Sequence, residues 1–147
     1  MNNISEIYTM LNWKSPVEVQ QKGIELVRNI KDISLLIMPP APPSVWAICA
    51  NILSEKSNDV LLPYIDSLLE WLYDLNWPGA LTILERLNNF PLDLLKSHIE
   101  TTVIKITDRN NPEDSGWLYS LSQFLNNKKL KKLLSKRTLE ILEQNFL

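Results

Sequence analysis

At 147 residues, with 45% hydrophobic and 22% charged side chains, the chain is long enough to bury one substantial core and too apolar to be disordered through most of its length. The net charge of −2 hides an asymmetry: residues 127–147 carry Lys128, Lys129, Lys131, Lys132, Lys136 and Arg137 against Glu140 and Glu143, a local +4 that leaves −6 on residues 1–126. An acidic body argues against a nucleic-acid partner, which needs Lys and Arg clustered across the contact face, and the single cysteine, Cys49, excludes an internal disulfide.

Residues Asn3 to Asn12 read as a short first helix. Ser15-Pro16-Val17-Glu18 has the form of a capping box, with the serine hydroxyl accepting from the backbone N–H of Glu18 and proline in the first turn, so a helix is expected from Pro16 to about Ile30. Its stripe is Val19, Val27 and Ile30, with Gly23 in line to let a neighbouring helix approach closely. Lys31 to Met38 reads as a further short helix. The run Pro39-Pro40-Ala41-Pro42-Pro43 is expected to be an extended spacer or loop, because each proline fixes its own φ and pushes the residue before it out of the helical region. The same prolines divide the uncharged stretch from Ile33 to Ser54 into pieces too short to span a bilayer.

Ser44 is a candidate N-cap for a helix to about Glu55 carrying Trp46, Ile48, Ala50, Ile52 and Leu53, and Ser57-Asn58-Asp59 turns into the longest pattern, which runs to Leu75. At about 100° per residue, Leu61, Ile65, Leu68, Leu69, Leu72 and Leu75 share one side of that helix, and Asp59, Asp66, Glu70 and Asp74 share the other. Pro63 is tolerated only near a helix start, so the main helix can begin there. Pro78 opens a helix to about Asn88 with Ala80, Ile83, Leu84 and Leu87 inward, and Pro91 opens one with Leu92, Leu95, Ile99, Val103 and Ile106 at helical spacing. The β-branched run from Thr101 to Thr107 is read as helix because that spacing continues through it. Asn110 to Gly116 is the clearest loop, and helices over 117–126 and about 128–146 complete an all-α chain.

Leu-Asn-Trp occurs twice, at 11–13 and 75–77, each time followed closely by a proline, which suggests a helix-turn-helix unit used twice. Around the second copy, Trp71-Leu72-Tyr73-Asp74-Leu75-Asn76-Trp77-Pro78 resembles the hallmark of a small bacterial family of unknown function: a Trp-Leu, an acidic residue, then Asn-Trp-Pro before a helix. The resemblance covers roughly residues 59–95. It implies a relative of HEAT-type helical repeats and supplies no catalytic residue. Read from the residues themselves, the motif is a structural corner, in which Asn76 caps the following helix, Trp77 packs back as an anchor and Pro78 occupies the first turn; a direct binding role for Trp77 is the alternative.

Candidates for chemistry are few. One histidine, His98, and one cysteine, Cys49, lie in separate helices, too few for a metal set and not placed by spacing as a nucleophile and base, and Cys49 within Trp46-Ala47-Ile48-Cys49-Ala50 reads as core. The glycines at 23, 79 and 116 are isolated and form no phosphate loop, and the Glu113-Asp114 pair reads as solvated loop carboxylates. No cofactor, metal or enzymatic activity is expected. The first residues, Met1 to Glu6, lack the basic and apolar regions of a secretory signal, so a cytoplasmic location is expected.

The sharpest feature is the acidic line Asp59, Asp66, Glu70 and Asp74, with Tyr64 and Trp71 on its flank. It reads either as the solvated face opposite the leucines or as a docking surface for a basic protein, with Trp71 as aromatic anchor. The tail, with Leu130, Leu133, Leu134, Ile141, Leu142 and Phe146 among its lysines, reads as a capping helix over 127–147. The expectation is therefore a single domain over 1–147, a short HEAT-like stack of antiparallel helix pairs, acting as a non-catalytic protein-binding module of immunity or inhibitor type. A structural homo-oligomer joined through Trp71, Trp77 or Trp117 and an uncharacterised enzyme are the alternatives.

Overall fold

The computed structural model describes residues 3–146; Met1, Asn2 and Leu147, on which the limits of the expected domain and of the basic tail fall, lie outside the described residues. Among those described the chain is helical, with no strand. Helix α1 is Ile4–Met10, capped by Asn3, whose side chain accepts from the Glu6 N–H at 2.9 Å. Helix α2 is Val17–Arg28. The two meet at Gly23, where a Cβ would stand 2.9 Å from Cβ of Met10, so the sequence-expected close approach at this glycine is present. The capping box is absent. Pro16 is the N-cap without a side-chain bond, and the Ser15 hydroxyl instead donates to the carbonyl of Thr9 at 2.9 Å, closing the turn between α1 and α2. Val19, expected on the inner stripe, is exposed, while Gly23 and Val27 are buried.

A 3-10 turn, Ile33–Leu36, replaces the short helix expected before the prolines, and Met38 follows with φ +40°. The proline run is not a straight spacer: the Ala41 N–H donates to the Pro39 carbonyl at 2.7 Å, Pro39 is buried, and Pro43–Val45 forms a 3-10 turn. That turn leads into α3, Trp46–Ser54, so Ser44 is not its cap. The Trp46 indole N–H donates back to the Pro39 carbonyl at 3.0 Å, holding the segment on the core.

The long amphipathic helix expected from 59 to 75 is divided. Ser57 caps α4, Asn58–Leu61, by accepting from the Val60 N–H; Pro63, which has no N–H to give, falls in a 3-10 turn, Leu62–Tyr64; and α5 is Ile65–Trp71. The leucine side is buried as expected at Leu61, Ile65, Leu68, Leu69 and Leu72. Helix α6, Ala80–Asn88, packs on α3, and its Arg86 guanidinium donates to the Lys56 carbonyl and to Asn58 Oδ1 at 2.9 and 2.7 Å, fastening it to the turn before α4.

Helix α7, Leu92–Arg109, is the longest element and runs straight through the β-branched residues, burying Leu95, Ile99, Val103 and Ile106. It ends at Asn110 in the left-handed conformation, φ +50°. A 3-10 turn, Pro112–Asp114, leads into α8, Ser115–Ser122, and another, Gln123–Asn126, into α9, Lys128–Leu133. The expected continuous tail helix breaks at Leu134 and restarts as α10, Lys136–Asn145, because Ser135 caps it through the Thr138 N–H. Helix α10 packs on α7 and α8, and Leu130, Leu134 and Leu142 close the core there, while the six basic side chains of the tail stay exposed. No described helix is long and apolar enough to cross a membrane.

Candidate functional site

The corner between α5 and α6 fixes the site. Past Trp71 the chain makes successive tight turns: Asp74 Oδ1 accepts from the Asn76 N–H at 2.8 Å, the Trp77 N–H reaches the Asp74 carbonyl and the Ala80 N–H the Trp77 carbonyl, each at 3.0 Å. Gly79 precedes α6 with φ +85°, a conformation open to glycine, and a Cβ there would overlap that of Ala50 at 2.7 Å. Asp74 and Leu75 are therefore off the helix, and Asp74 is a turn-forming residue. Asn76 is exposed and caps nothing, since Gly79 is the N-cap of α6; Pro78 precedes the helix, and its carbonyl accepts from the Trp71 indole at 3.0 Å.

Trp71 is 0% exposed, so it cannot serve as the surface anchor expected of it or as a twofold contact. It belongs to a continuous run of rings. Trp46 meets Trp71 and Trp77 edge-on, with centroids 5.9 and 5.7 Å apart; Trp77 stacks on Tyr73 at 5.7 Å and 21°; and Tyr73 tilts against Trp117 at 5.7 Å. Hydrogen bonds lock this run: Trp117 donates to the Leu69 carbonyl at 3.0 Å and the Tyr73 hydroxyl to that of Glu113 at 2.9 Å, tying α8 and its preceding turn to α5.

The outer end of the aromatic run walls a cleft of about 340 Å³, lined by Met38, Glu70, Tyr73, Trp77, Lys105, Arg109, Asp114 and Trp117. Asp114, 7% exposed, holds the Arg109 guanidinium at 3.3 Å, fixing that cation at the edge. Glu70 and Lys105 make no ion pair or side-chain hydrogen bond to another described residue. The Trp77 indole N–H also has no acceptor among the described residues, unlike those of Trp46, Trp71 and Trp117. A second, shallower depression, formed by Thr101, Ile104, Lys105, Asp108 and Arg109, adjoins the first through Lys105 and Arg109, extending it along α7.

Of the acidic line, Asp59 is exposed on α4, Asp66 is exposed on α5 and accepts His98 Nδ1 at 2.7 Å, and Glu70 alone reaches the cleft. Tyr64 is half-buried in the 3-10 turn. His98 thus ties α7 to α5, and Cys49 is fully buried with its thiol pushed up by burial to about 12; neither lines the cleft. No three His, Cys, Asp or Glu side chains converge as a metal set among the described residues. Met38, Tyr73, Lys105 and Arg109 are not singled out by the sequence, and Asp114, expected as a solvated loop carboxylate, is instead buried and paired with Arg109. The spacing of Lys105 and Arg109 at i, i+4 was the one local signal; their meeting with Met38 and Tyr73 depends on the fold.

No curated protein and no solved structure matches the chain. The family model described as a domain of unknown function (DUF5071) matches residues 47–145, a span that holds every residue of the cleft except Met38. The chain belongs to this family.

Proposed function

We propose that the chain is a non-catalytic protein-binding module that docks its partner on the α5–α7 face, with the aromatic-walled cleft as the centre of the surface. The observation that carries this reading is the cleft itself. Glu70 and Lys105 stand in it without partners among the described residues, beside Tyr73, Trp77 and a half-buried Met38; the aromatic and thioether groups are of the kind that protein interfaces favour, and the charges supply specificity. The exposed carboxylates Asp59 and Asp66 would meet basic side chains of the partner at the rim, where charge sets on-rate and specificity more than affinity. An immunity or inhibitor role belongs within this reading.

The finer architectural expectation, a short HEAT-like stack built from antiparallel helix pairs, is supported by the packing of α1 on α2, α3 on α6 and α8 on α10. On this reading, the division of the 59–75 helix and the pairing of α3 with α6 across α4 and α5 are departures from a regular repeat.

The test is capture from a lysate of the source organism with wild-type protein and a Glu70→Lys, Lys105→Glu double variant, both shown to be folded by circular dichroism. A species retained by the wild type and lost by the variant supports the reading. Identical capture by both removes the cleft from it.

A further inference from the structure

The distribution of charge around the cleft specifies the segment that would fill it. Glu70 projects from α5, whereas Lys105 and Arg109 stand on α7, so the two signs come from different walls with the Tyr73–Trp77 stack and Met38 also lining the cleft. Arg109 is half committed to Asp114 through one nitrogen, with its side chain 52% exposed, leaving further N–H donors of the guanidinium fork. Lys105 has no anion, Glu70 no cation and the Trp77 indole N–H no acceptor among the described residues. Beyond Lys105 the adjoining depression continues the path along α7, which suits a polypeptide more than a compact small molecule.

We propose that the cleft receives a polypeptide segment in which an apolar side chain is flanked by one basic and one acidic residue: the apolar group lies against Tyr73, Trp77 and Met38, the basic one meets Glu70, the acidic one meets Lys105 and Arg109, and the Trp77 N–H donates to a segment carbonyl. The proposal rests on the reading of the cleft as the docking surface. A ligand of a single sign is disfavoured, because it would satisfy one wall and meet like charge at the other.

The test uses four capped tripeptides: acetyl-Lys-Leu-Glu-amide, acetyl-Lys-Leu-Gln-amide, acetyl-Gln-Leu-Glu-amide and acetyl-Lys-Gln-Glu-amide. Each is titrated into the full ¹⁵N-labelled chain while the Trp77 indole and the Lys105 and Arg109 amides are followed by NMR. The first peptide should bind the most tightly, by about twofold to fivefold over each singly charged analogue, the range of an exposed ion pair, and by more over the peptide lacking leucine. Glu70→Gln should erase the preference for lysine and leave that for glutamate; Lys105→Gln should reduce the preference for glutamate, to which Arg109 still contributes, and leave that for lysine. Shifts at the cleft with no ranking among the peptides would overturn the charge pattern while leaving a docking cleft in place. Shifts confined to other surfaces, or none with any peptide, would overturn the proposal outright; the capture experiment with the charge-reversed variant then decides the docking reading by itself.

Discussion

The indole N–H of Trp71 donates to the carbonyl of Pro78 at 3.0 Å, so the last residue of α5 fixes the corner that presents Trp77 to the cleft. Replacing Trp71 by Phe leaves that carbonyl without its donor and a void beside Trp46. The expected loss is about 2–4 kcal/mol of stability, from the unmade hydrogen bond together with the cavity. Trp13→Phe, at a side chain 50% exposed, is expected to change stability by less than about 0.5 kcal/mol. Urea denaturation of the two variants checks the contrast.

Gly79→Ala should be harmful and Gly116→Ala harmless. At Gly79 the new Cβ meets Ala50 at 2.7 Å on a backbone with φ +85°, and the combined overlap and strain are expected to cost about 2–4 kcal/mol. At Gly116, in the first turn of α8, nothing lies within 4 Å of the new Cβ, so alanine is expected to stabilise by about 0.4–1 kcal/mol through the unfolded state. Thermal melts of both proteins measure the difference in sign.

Much of this architecture is legible in the sequence, and the places where it is not have physical reasons. Leu95, Ile99, Val103 and Ile106 keep one helical face, and packing on that face outweighs the strand preference of the β-branched residues around them. The break at Pro63 follows from its missing N–H, although the end of α5 at Trp71 does not follow from periodicity, since Leu72 and Leu75 continue it. Trp71 lies three residues past Leu68, on the leucine side, so the spacing that identifies the core also buries it, and its aromatic character does not make it a surface anchor. The two Leu-Asn-Trp copies do not play the same part: Trp13 is exposed after α1, whereas Trp77 is held between Trp46 and Tyr73. The cleft itself was not readable, because Met38, Glu70, Lys105 and Asp114 come from four separate segments and no local rule brings them together.

Cys49 should be chemically silent. Its thiol is fully buried and pushed up to about 12 by that burial, so almost no thiolate exists at pH 8 in the folded chain. Ellman's reagent is expected to leave the native protein unmodified over the time in which it titrates one thiol in urea. Rapid modification of the folded protein would mean that Cys49 is reached from solvent.

Glu100 ties α7 to the α9–α10 junction, and this link should depend on pH. Burial raises its pKa, but the backbone N–H of Ser135, which donates to Oε2 at 2.5 Å, the Ser135 side chain and Lys96 outweigh that effect and leave it lowered. Because the folded carboxyl is more acidic than the unfolded one, its contribution is fully present above the ordinary glutamate value of about 4.3 and is lost as the pH falls through the lower folded value. Glu100→Gln is therefore expected to be less stable than wild type at pH 7, with the two converging at low pH. A gap that persists unchanged through pH 3 would contradict this.

The central claim, that the α5–α7 cleft is where a partner docks, is tested most directly by placing a photo-crosslinking benzoylphenylalanine at position 101, an exposed site in the adjoining depression, and, in a separate protein, at position 26, an exposed site on α2 outside the cleft. Irradiation in a lysate of the source organism should give a discrete adduct from position 101 and none from position 26. Adducts from position 26 alone, or the same adduct from both, would show that the partner is held elsewhere on the chain.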